Sequence, residues 1–286
     1  METQKLTALL KVIEYGSITK ASEELDYTQS GISHMIKSLE RDLGFPVLVR
    51  STTGVEPTED CKKLLPALRE LVRWSGELNA IAASIKGLTT GKVRISSFTS
   101  LSVNWLPKVI RTFGEQYPNV EIELVESGGR SLADALENGL IDIGFGCRPQ
   151  NTDTAWIPLF DDQLMVVAPT SMQIGTSFAL QRFHGTPFIA LPEYYDREVH
   201  EVFEAHHIVP DVKFTSTDDY TIISMVEQGL GISVLPEMVL QGYRHCKIQT
   251  APLDPACKRQ LGIILPSLNE ASPATRKFIA CAKGMA

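Results

Sequence analysis

The sequence predicts an α/β protein in three consecutive parts: an N-terminal winged helix-turn-helix, a long linker helix, and two α/β lobes. Three observations predict this fold class. Two short helical patterns lie close together near the N-terminus, and a helical apolar pattern of unusual length follows them. Beyond a Gly/Thr-rich break at Gly87–Gly91, strands alternate with helices, which is the order found in sheets covered by helices.

The two short N-terminal patterns predict a pair of crossed helices. The first carries the small residue Ala21, which lets two helices cross closely. The connection Asp26-Tyr27-Thr28 has the length of the turn in a helix-turn-helix pair, and its Thr28 can cap the second helix. An earlier helix over residues 3–15, which ends at Gly16, packs behind the pair.

The second helix of the pair has one apolar and one polar face. Ile32, Ile36 and Leu39 recur at helical spacing and predict a buried stripe. In a helix-turn-helix this helix lies in the DNA major groove, with its N-terminal half against base edges. The candidate DNA-contacting residues on its polar face are Thr28, Gln29, Ser30, Ser33, His34 and Lys37.

Within that set, Gln29 and His34 are expected to read base edges, and Ser33 and Lys37 to reach bases or phosphates. The alternative is a plain three-helix head whose polar face is solvated. A β-prone run over residues 45–50 and a turn at Gly54 predict a small two-stranded wing after this helix. The candidate phosphate contacts on the wing are Arg50, Thr52 and Thr53.

The motifs of this head resemble those of the LysR-type transcriptional regulators. S-x-T-x-A-x-E-x-L over residues 17–25 is followed by T-Q-S-G-I-S over residues 28–33. I-K-x-L-E-x-x-L-G over residues 36–44, Val49-Arg50 and Thr58-Glu59 continue the resemblance, which covers nearly the whole chain. It implies a regulator that binds double-stranded DNA, responds to a small-molecule effector and acts as a homodimer or homotetramer. RNA polymerase is a further candidate partner.

Two residues of the head depart from the family's usual pattern. Ser30 stands where the family usually has Pro, and His34 stands where it most often has Arg or Gln. Both changes bear on the base preference at those contacts. The docking mode of the helix survives them.

The charge balance does not favour nucleic acid. The chain has a formal net charge of −7, and residues 1–58 hold six basic and eight acidic side chains, a net charge of −2. A broad basic footprint is therefore absent. If DNA is the partner, the positive charge is local and two or more heads in an oligomer supply avidity. The local cations are Lys20, Lys37, Arg41 and Arg50.

The long helical pattern covers Glu59 to Ile85 and includes Pro66. Pro66 predicts either a kink or the start of a new helix near that point. The apolar stripe is longer than a small head needs for its own core, so part of it suits a partner helix from a second chain. In the family this segment is the linker helix that pairs two subunits. The alternative is that it packs wholly within one chain.

Beyond Gly91 the alternation of strands and helices predicts parallel sheets with helices on both faces. The predicted strands cover residues 93–95, 120–125, 141–145, 164–168, 187–191, 212–215, 232–235 and 261–265. The predicted helices cover residues 106–115, 132–137, 197–206, 220–228, 237–240 and 273–283.

This region of roughly 195 residues is long enough for two such sheets. We expect the chain to cross near Asp161-Asp162 and to return near Pro266-Ser267, so that the last helix joins the first lobe. This hinged architecture resembles the periplasmic binding proteins, and its cleft is a natural small-ligand site. The expected division is a head at 1–58, a linker at 59–90, a first effector subdomain at 91–162 with 267–286, and a second at 163–266.

Ligands of open α/β sheets bind beyond the carboxyl ends of the strands. By the family resemblance, Ser100 matches the hydroxyl most often seen on an effector, and Gly128 and Cys147-Arg148 match neighbouring positions. A carboxylate effector would use Arg148 and Ser100, whereas the acidic groups and many rings nearby favour an aromatic or partly apolar one. The alternative is that these residues are core and rim. The candidate effector-binding residues are Phe98, Thr99, Ser100, Gly128, Phe145, Cys147, Arg148, Glu193, Tyr194 and Asp218.

The sequence shows no motif of an enzyme, and we expect neither catalysis nor a cofactor. No G-x-S-x-G, P-loop or G-x-G-x-x-G motif follows a predicted strand. His200-Glu201 resembles the start of a zinc-protease helix, but Glu204 occupies the position of the second histidine, so no metal is expected. The five cysteines are scattered without a C-x-x-C pair, which is typical of reduced thiols. A redox pair of Cys246 and Cys257 is a minor alternative.

Location and competing classes follow from the same survey. No apolar run is long enough to span a membrane, and residues 1–11 carry no signal-peptide pattern, so a cytoplasmic protein is expected. A solute-binding protein would explain the cleft but neither the head nor the missing signal peptide. A small-molecule hydrolase lacks a nucleophile motif.

Overall fold

A computed structural model of the chain describes residues 2–51, 54–85, 90–125, 132–149, 154–193, 197–243 and 245–286. The head contains three helices, α1 (Thr3–Tyr15), α2 (Ile18–Glu24) and α3 (Gln29–Leu43). The Thr28 side chain caps α3 by accepting a hydrogen bond from the Gly31 N–H at 3.0 Å. Gly44 ends α3 in the left-handed conformation that glycine favours. The predicted helix pair and its cap are confirmed.

The predicted wing is also present. It is an antiparallel pair of β1 (Leu48–Ser51) and β2 (Gly54–Pro57). The Val55 N–H donates to the Gly16 carbonyl at 2.9 Å, which ties the wing to the end of α1. A β-carbon at Gly54, where φ is +139°, would collide with that same carbonyl oxygen, so the tie requires glycine.

The linker is one helix, α4 (Glu59–Ile85), of 27 residues, and it continues through Pro66. Its first turns pack on the head, because Cys61 and Leu68 are buried in the same core as α1 and α3. Its later turns carry large apolar side chains that are exposed. This linker stripe consists of Leu71, Trp74, Leu78, Ile81 and Ile85.

The C-terminal region contains ten strands and seven helices among the described residues. The strands are β3 (Gly91–Ser97), β4 (Val120–Leu124), β5 (Ile143–Cys147), β6 (Ala155–Pro169), β7 (Phe178–Ala179), β8 (Pro187–Ala190), β9 (Asp211–Thr215), β10 (Ser233–Pro236), β11 (Ile248–Asp254) and β12 (Lys258–Leu265). The helices are α5 (Thr99–Asn104), α6 (Leu106–Gln116), α7 (Leu132–Glu137), α8 (Arg197–Ala205), α9 (Asp219–Glu227), α10 (Glu237–Leu240) and α11 (Pro273–Lys283).

The long strand β6 connects two sheets. Its first half pairs with β12, and its second half, from Leu164 to Pro169, pairs with β10 and β11. The strand order β4-β3-β5-β12-β6 forms the first lobe. The second lobe contains β10 and β11 with the neighbouring pair β8 and β9. The change of partners along β6 falls at Gln163–Leu164, next to the predicted crossing.

Two predictions for this region are wrong. The sheets are not purely parallel, because β5 and β6 both pair antiparallel with β12, whereas β3 pairs parallel with β4 and β5. The chain returns to the first lobe at the start of β12 rather than near Pro266-Ser267, because Leu261–Ile264 already pairs with β5. An apolar run predicts a strand, but it does not reveal which neighbour the strand pairs with.

Each lobe has its own apolar core. In the first, the ring of Phe278 on α11 lies 4.9 Å from that of Phe113 on α6, so the last helix joins the first lobe as predicted. In the second, Phe183 lies 4.8 Å from Phe178 and 5.2 Å from Phe203. Of the helices that the structure describes, none combines the length and apolar character needed to cross a membrane.

Candidate DNA-binding face and effector cleft

The polar face of α3 is open to solvent. Its opposite face, with Ile32, Ile36 and Leu39, is buried in the head, and this burial directs the polar side chains outward. Five of the six candidates on α3 and its cap are exposed and the last is half-buried: Thr28, Gln29, Ser30, His34, Lys37 and Ser33.

Two hydroxyls organise the start of α3. The Oγ1 atom of Thr28 accepts from the Gly31 N–H and lies 3.1 Å from the Oγ atom of Ser30. The cap therefore orders the end of the helix that approaches base edges in a helix-turn-helix complex. Ser30 takes part in this arrangement although it replaces the family's usual proline.

Several acidic side chains of the head are occupied away from this face. Asp42 lies 3.4 Å from the Nζ atom of Lys5, and Glu14 lies 2.9 Å from that of Lys11. The Oε1 atom of Glu40 accepts from the Val47 N–H at 2.9 Å. These contacts reduce the negative charge that the helix pair presents to a partner.

The helix pair keeps unpaired positive charge. Within the described part of the chain, no carboxylate forms an ion pair with Lys20, Lys37 or Arg41. His34, Lys37 and Arg41 line one open depression, together with Glu40 and residues 44–46. The local cations expected from the sequence therefore face solvent on α3, although the head as a whole is acidic.

The wing candidates lie largely outside the described residues. Arg50 belongs to β1, but its side chain is not described, and neither are Thr52 and Thr53. Their contacts with phosphate stay predictions.

A buried arginine joins the two long strands where the lobes meet. Arg259 on β12 lies opposite Asp162 on β6, and its Nε and Nη2 atoms donate to Asp162 Oδ2 at 3.0 Å and 2.8 Å. Its Nη2 atom also donates to the Ser100 Oγ atom at 2.9 Å. All three side chains are buried, so this charge pair is shielded from solvent.

Hydrogen bonds from two short helices surround this group. The Met238 N–H on α10 donates to Asp162 Oδ1 at 3.0 Å. The Nδ2 atom of Asn104 on α5 donates to the carbonyl oxygens of Ser100 and Met238, both at 2.9 Å. Because α5 follows a strand of the first lobe and α10 a strand of the second, these hydrogen bonds bridge the lobes.

A second bridge involves the predicted residues Cys147 and Arg148. The Nη2 atom of Arg197, at the start of α8, donates to the Arg148 carbonyl at 3.2 Å. Burial, and secondly the nearby Glu198 carboxylate, raise the pKa of the Cys147 thiol. This thiol is therefore protonated at neutral pH and is not a reactive thiolate.

Asp219, and not the predicted Asp218, interacts with the buried arginine. Asp218 caps α9, since its Oδ2 atom accepts from the N–H and hydroxyl of Thr221 at 2.9 Å and 2.5 Å. These hydrogen bonds lower the pKa of Asp218. Burial raises the pKa of Asp219, and Arg259 opposes that shift. We therefore replace Asp218 by Asp219 in the candidate set, because the Asp218 carboxylate is committed to its helix.

Phe145 was expected to contact an effector, and this prediction is wrong. The side chain is fully buried in the core of the first lobe, where its ring lies 5.6 Å from Trp105 and 6.2 Å from Phe278. Side chains of a strand alternate between its faces, and that of Phe145 points into the core. Phe98 is half-buried, and a β-carbon on Gly146 would lie 2.9 Å from its ring.

The other cleft candidates are partly accessible. Thr99, Arg148 and Glu193 are exposed, and Ser100 is held by Arg259. Gly128 and Tyr194 lie outside the described residues.

Sequence reasoning missed Arg259 and Asn104. Arg259 directly precedes a strongly apolar strand, and a charged residue in that position is the one signal that could have marked it. Its partner Asp162 was recognised only as part of a crossing. Nothing in the local sequence indicates that the two residues are paired across 97 positions.

Metal and redox chemistry find no support here. In the part of the chain that the structure describes, no three His, Cys, Asp or Glu side chains are grouped to hold a metal ion. His200 instead lies 3.3 Å from the Leu191 carbonyl oxygen. The five cysteines are free, and burial raises the pKa of both Cys246 and Cys257.

A winged helix-turn-helix joined through a long helix to a two-lobed α/β region defines a class of ligand-responsive, DNA-binding proteins. Residues 3–62 match the model of the bacterial regulatory helix-turn-helix proteins of the lysR family, and residues 86–286 match the LysR substrate binding domain. The chain therefore belongs to the LysR family of transcriptional regulators. It is a DNA-binding regulator with an effector-binding domain, and the family is not one of enzymes.

Individual relatives agree with this assignment. The uncharacterized HTH-type transcriptional regulator YvbU of Bacillus subtilis is 30% identical over 99% of this chain and 98% of that protein. Full-length CbnR complexed with target DNA has a TM-score of 0.69 and 20% identity, and the match covers 100% of both chains. Full-length OxyR from Pseudomonas aeruginosa has a TM-score of 0.77 and 22% identity over 100% of this chain and 97% of that one. The two structures show a shared fold.

Proposed function

We propose that this regulator reads duplex DNA with the polar face of α3, and that a small effector bound where the lobes meet controls this reading. The observation that carries the proposal is the buried Arg259–Asp162 pair beside Ser100. The pair lies where β6 and β12 pass between the lobes, so a ligand that contacts it also contacts the point about which the lobes can move.

The proposed DNA contacts follow from side-chain chemistry. The amide of Gln29 can bind the major-groove edge of adenine with two hydrogen bonds. Lys37 and Arg41 can neutralise phosphates, since both are exposed and unpaired among the described residues. His34 lies between these positions and can donate to a base or to a phosphate. A single head with so few free cations binds weakly, so paired heads are required.

The linker stripe is the proposed site of pairing between two copies of this chain. Its five apolar residues are spaced alternately by three and four positions, which is the seam of a coiled coil. A second copy supplies an identical, complementary stripe. In such a dimer the two heads contact half-sites about one helical turn apart, roughly 34–36 Å.

A homotetramer needs a second surface, and the lobes offer one. Leu124 on β4 and Val212 and Phe214 on β9 are large apolar side chains that remain exposed on edge strands. Edge strands with exposed apolar side chains are suited to pairing with another chain. We propose that a second dimer docks there, and that the protein functions in the cytoplasm.

The proposed control is a shift between lobe arrangements. Two sets of hydrogen bonds join the lobes, one through Met238 and Asn104 and the other from Arg197 to Arg148. An effector that favours one arrangement stabilises the corresponding population. Because α4 contacts the first lobe through Arg69, the lobe arrangement affects the position of the head.

Fluorescence anisotropy of the full chain tests this proposal, with labelled DNA from upstream of its own gene and scrambled DNA of equal length. Lys37→Ala/Arg41→Ala is expected to bind at least about tenfold more weakly. Lys11→Ala is the matched control, because Lys11 is paired with Glu14 on another helix. Equal and weak binding of wild type to both DNAs would contradict the proposed reading by α3.

A further inference from the structure

The arginine at the lobe junction has an unused donor. Arg259 spends Nε and Nη2 on Asp162 and Ser100. No described acceptor lies within hydrogen-bonding distance of its Nη1 atom, although the side chain is only 9% exposed. Buried donors are normally satisfied, so an acceptor that enters between the lobes would complete the hydrogen bonding of this guanidinium.

The neighbouring hydroxyl is oriented to donate as well. The Ser100 Oγ atom accepts from Arg259 Nη2, which leaves its own proton free for another acceptor. The backbone carbonyl of Ser100 is occupied by Asn104. Arg259 Nη1 and the Ser100 hydroxyl thus present two donors side by side, and a carboxylate can accept both, with a charge-assisted hydrogen bond from the arginine.

The opposite side of the junction holds an uncompensated negative charge. Asp219 is half-buried at the start of α9, and its carboxylate has no hydrogen-bond partner within the described residues. Arg259 attracts it, but the charge of Arg259 is already balanced by Asp162. One arginine therefore faces two carboxylates. A partly buried carboxylate is stabilised by a positive partner.

We propose that the effector is a small zwitterion of the amino acid class, which carries one carboxylate and one ammonium group. The proposal rests on the proposed effector function of this cleft. The carboxylate accepts from Arg259 and Ser100, and the ammonium donates to Asp219. Since Asp219 belongs to the second lobe and Ser100 to the first, a ligand with both charges joins the lobes. A ligand with only one of them engages one side.

Rings near Asp219 indicate which amino acids to examine first. Tyr220 and Tyr243 stack with their centroids 5.7 Å apart, and Tyr220 follows Asp219 directly in the chain. The pKa of Tyr243 is raised, chiefly by burial and next by the charge of Asp219, so both rings lie near that carboxylate. An apolar or aromatic ligand side chain would pack favourably against them.

Matched ligands separate the roles of the two charges. The full chain is titrated by calorimetry with the twenty amino acids, and then with two triplets of similar shape. One is L-phenylalanine, phenylpyruvate and phenethylamine, and the other is L-leucine, 4-methyl-2-oxopentanoate and isoamylamine. We expect at least one amino acid to bind, and its oxo acid and amine to bind at least tenfold more weakly. An oxo acid that binds as tightly as its amino acid, or no response to any amino acid, would overturn the inference.

Variants identify the contacts. Asp219→Asn is expected to weaken the bound amino acid at least tenfold and to leave the affinity for its oxo acid unchanged or higher. Asp218→Asn is the matched control, because asparagine also caps a helix and Asp218 contacts Thr221. Ser100→Ala is expected to weaken both the amino acid and the oxo acid. If the two aspartate variants lose affinity equally, the assigned role of Asp219 is wrong.

The same protein preparation distinguishes this inference from the proposed function. Anisotropy on upstream DNA is repeated with saturating amino acids and with saturating oxo acids. If only an oxo acid changes DNA affinity, the effector-controlled function stands and the zwitterion inference fails. If DNA binds selectively and none of these ligands binds, the inference fails and DNA reading by α3 stands.

Discussion

The Nη1 atom of Arg69 donates a 3.2 Å hydrogen bond to the backbone carbonyl of Asn138. Arg69 lies on the linker helix, and Asn138 lies in the turn after α7, so this bond ties the helix that carries the head to the first lobe. The turn depends on Gly139, whose φ is +60° and where a β-carbon would lie 3.4 Å from that of Arg69. The close approach explains why glycine is needed there.

Glu77, on the same helix, makes stability depend on pH. It is 8% exposed, and burial raises the pKa of its carboxyl, while Arg73 and then Arg276 oppose the shift. A carboxyl whose pKa is raised by folding binds its proton more tightly in the folded state, so its contribution to stability falls as pH rises through the unfolded and folded pKa values. We expect Glu77→Gln to raise the Tm at pH 7, with the gap closing near about pH 4.

Thermal unfolding at the two pH values checks this expectation. Glu115→Gln is the control, because Glu115 is exposed on α6. A Glu77→Gln protein that is less stable than wild type at pH 7 would mean that attraction to Arg73 and Arg276 outweighs the cost of burial.

The buried Arg259–Asp162 pair is expected to matter far more for stability than its exposed neighbour. Arg259→Met leaves the Asp162 carboxylate buried without its cation, which costs about 3–5 kcal/mol. Lys258→Met removes an exposed ion pair with Asp161 and is expected to cost below about 1 kcal/mol. Urea unfolding of the two variants gives the comparison. Equal losses would contradict the assigned difference in burial.

A charge in the linker stripe is expected to disrupt self-association. Leu78 is 68% exposed, so Leu78→Lys leaves the single chain folded but inserts an ammonium group into the proposed helix seam. We expect the dimer dissociation constant to rise at least about tenfold, which corresponds to roughly 1.4 kcal/mol. Sedimentation equilibrium measures it. Asn79→Lys, one position along the helix, is the control, and an equal effect there would contradict the seam.

Base reading and phosphate binding by α3 are expected to separate by mutation. Gln29→Ala and His34→Ala should each reduce binding to the cognate site by about 1–3 kcal/mol with little effect on scrambled DNA. Lys37→Ala should weaken binding to both DNAs and make it less dependent on salt. Gln4→Ala on α1 is the control. Anisotropy at several salt concentrations measures all four variants, and a uniform loss with Gln29→Ala would contradict base reading there.

Local sequence predicted the helices well, since a helix is decided by caps and by a 3.6-residue apolar period. The boundaries predicted for the linker helix, α7, α10 and α11 agree with the structure. The strands were predicted less completely. The two-residue β7, the first half of β6 and all of β11 were missed, because Pro158, Pro252 and mixed polar residues interrupt the alternating pattern.

The site was predicted unevenly for a related reason. Thr28, Gln29, Ser30, His34 and Lys37 are exposed on one helix face as expected, since residues three or four apart on a helix share a face whatever surrounds it. At the lobe junction, Ser100 and Cys147 were identified through the family resemblance. Phe145 was assigned wrongly, because strand alternation does not say which face is the core.

The sequence by itself determined the order of head, linker and lobes, the polar face of α3 and the surplus stripe of α4, because periodicity and capping act over a few residues. Only the tertiary structure decided that β12 returns between β5 and β6, and that Arg259 meets Asp162 and Ser100. The physical reason is that the partners of Arg259 lie 97 and 159 positions away. Pairing over such distances depends on how the sheets assemble, which no local pattern encodes.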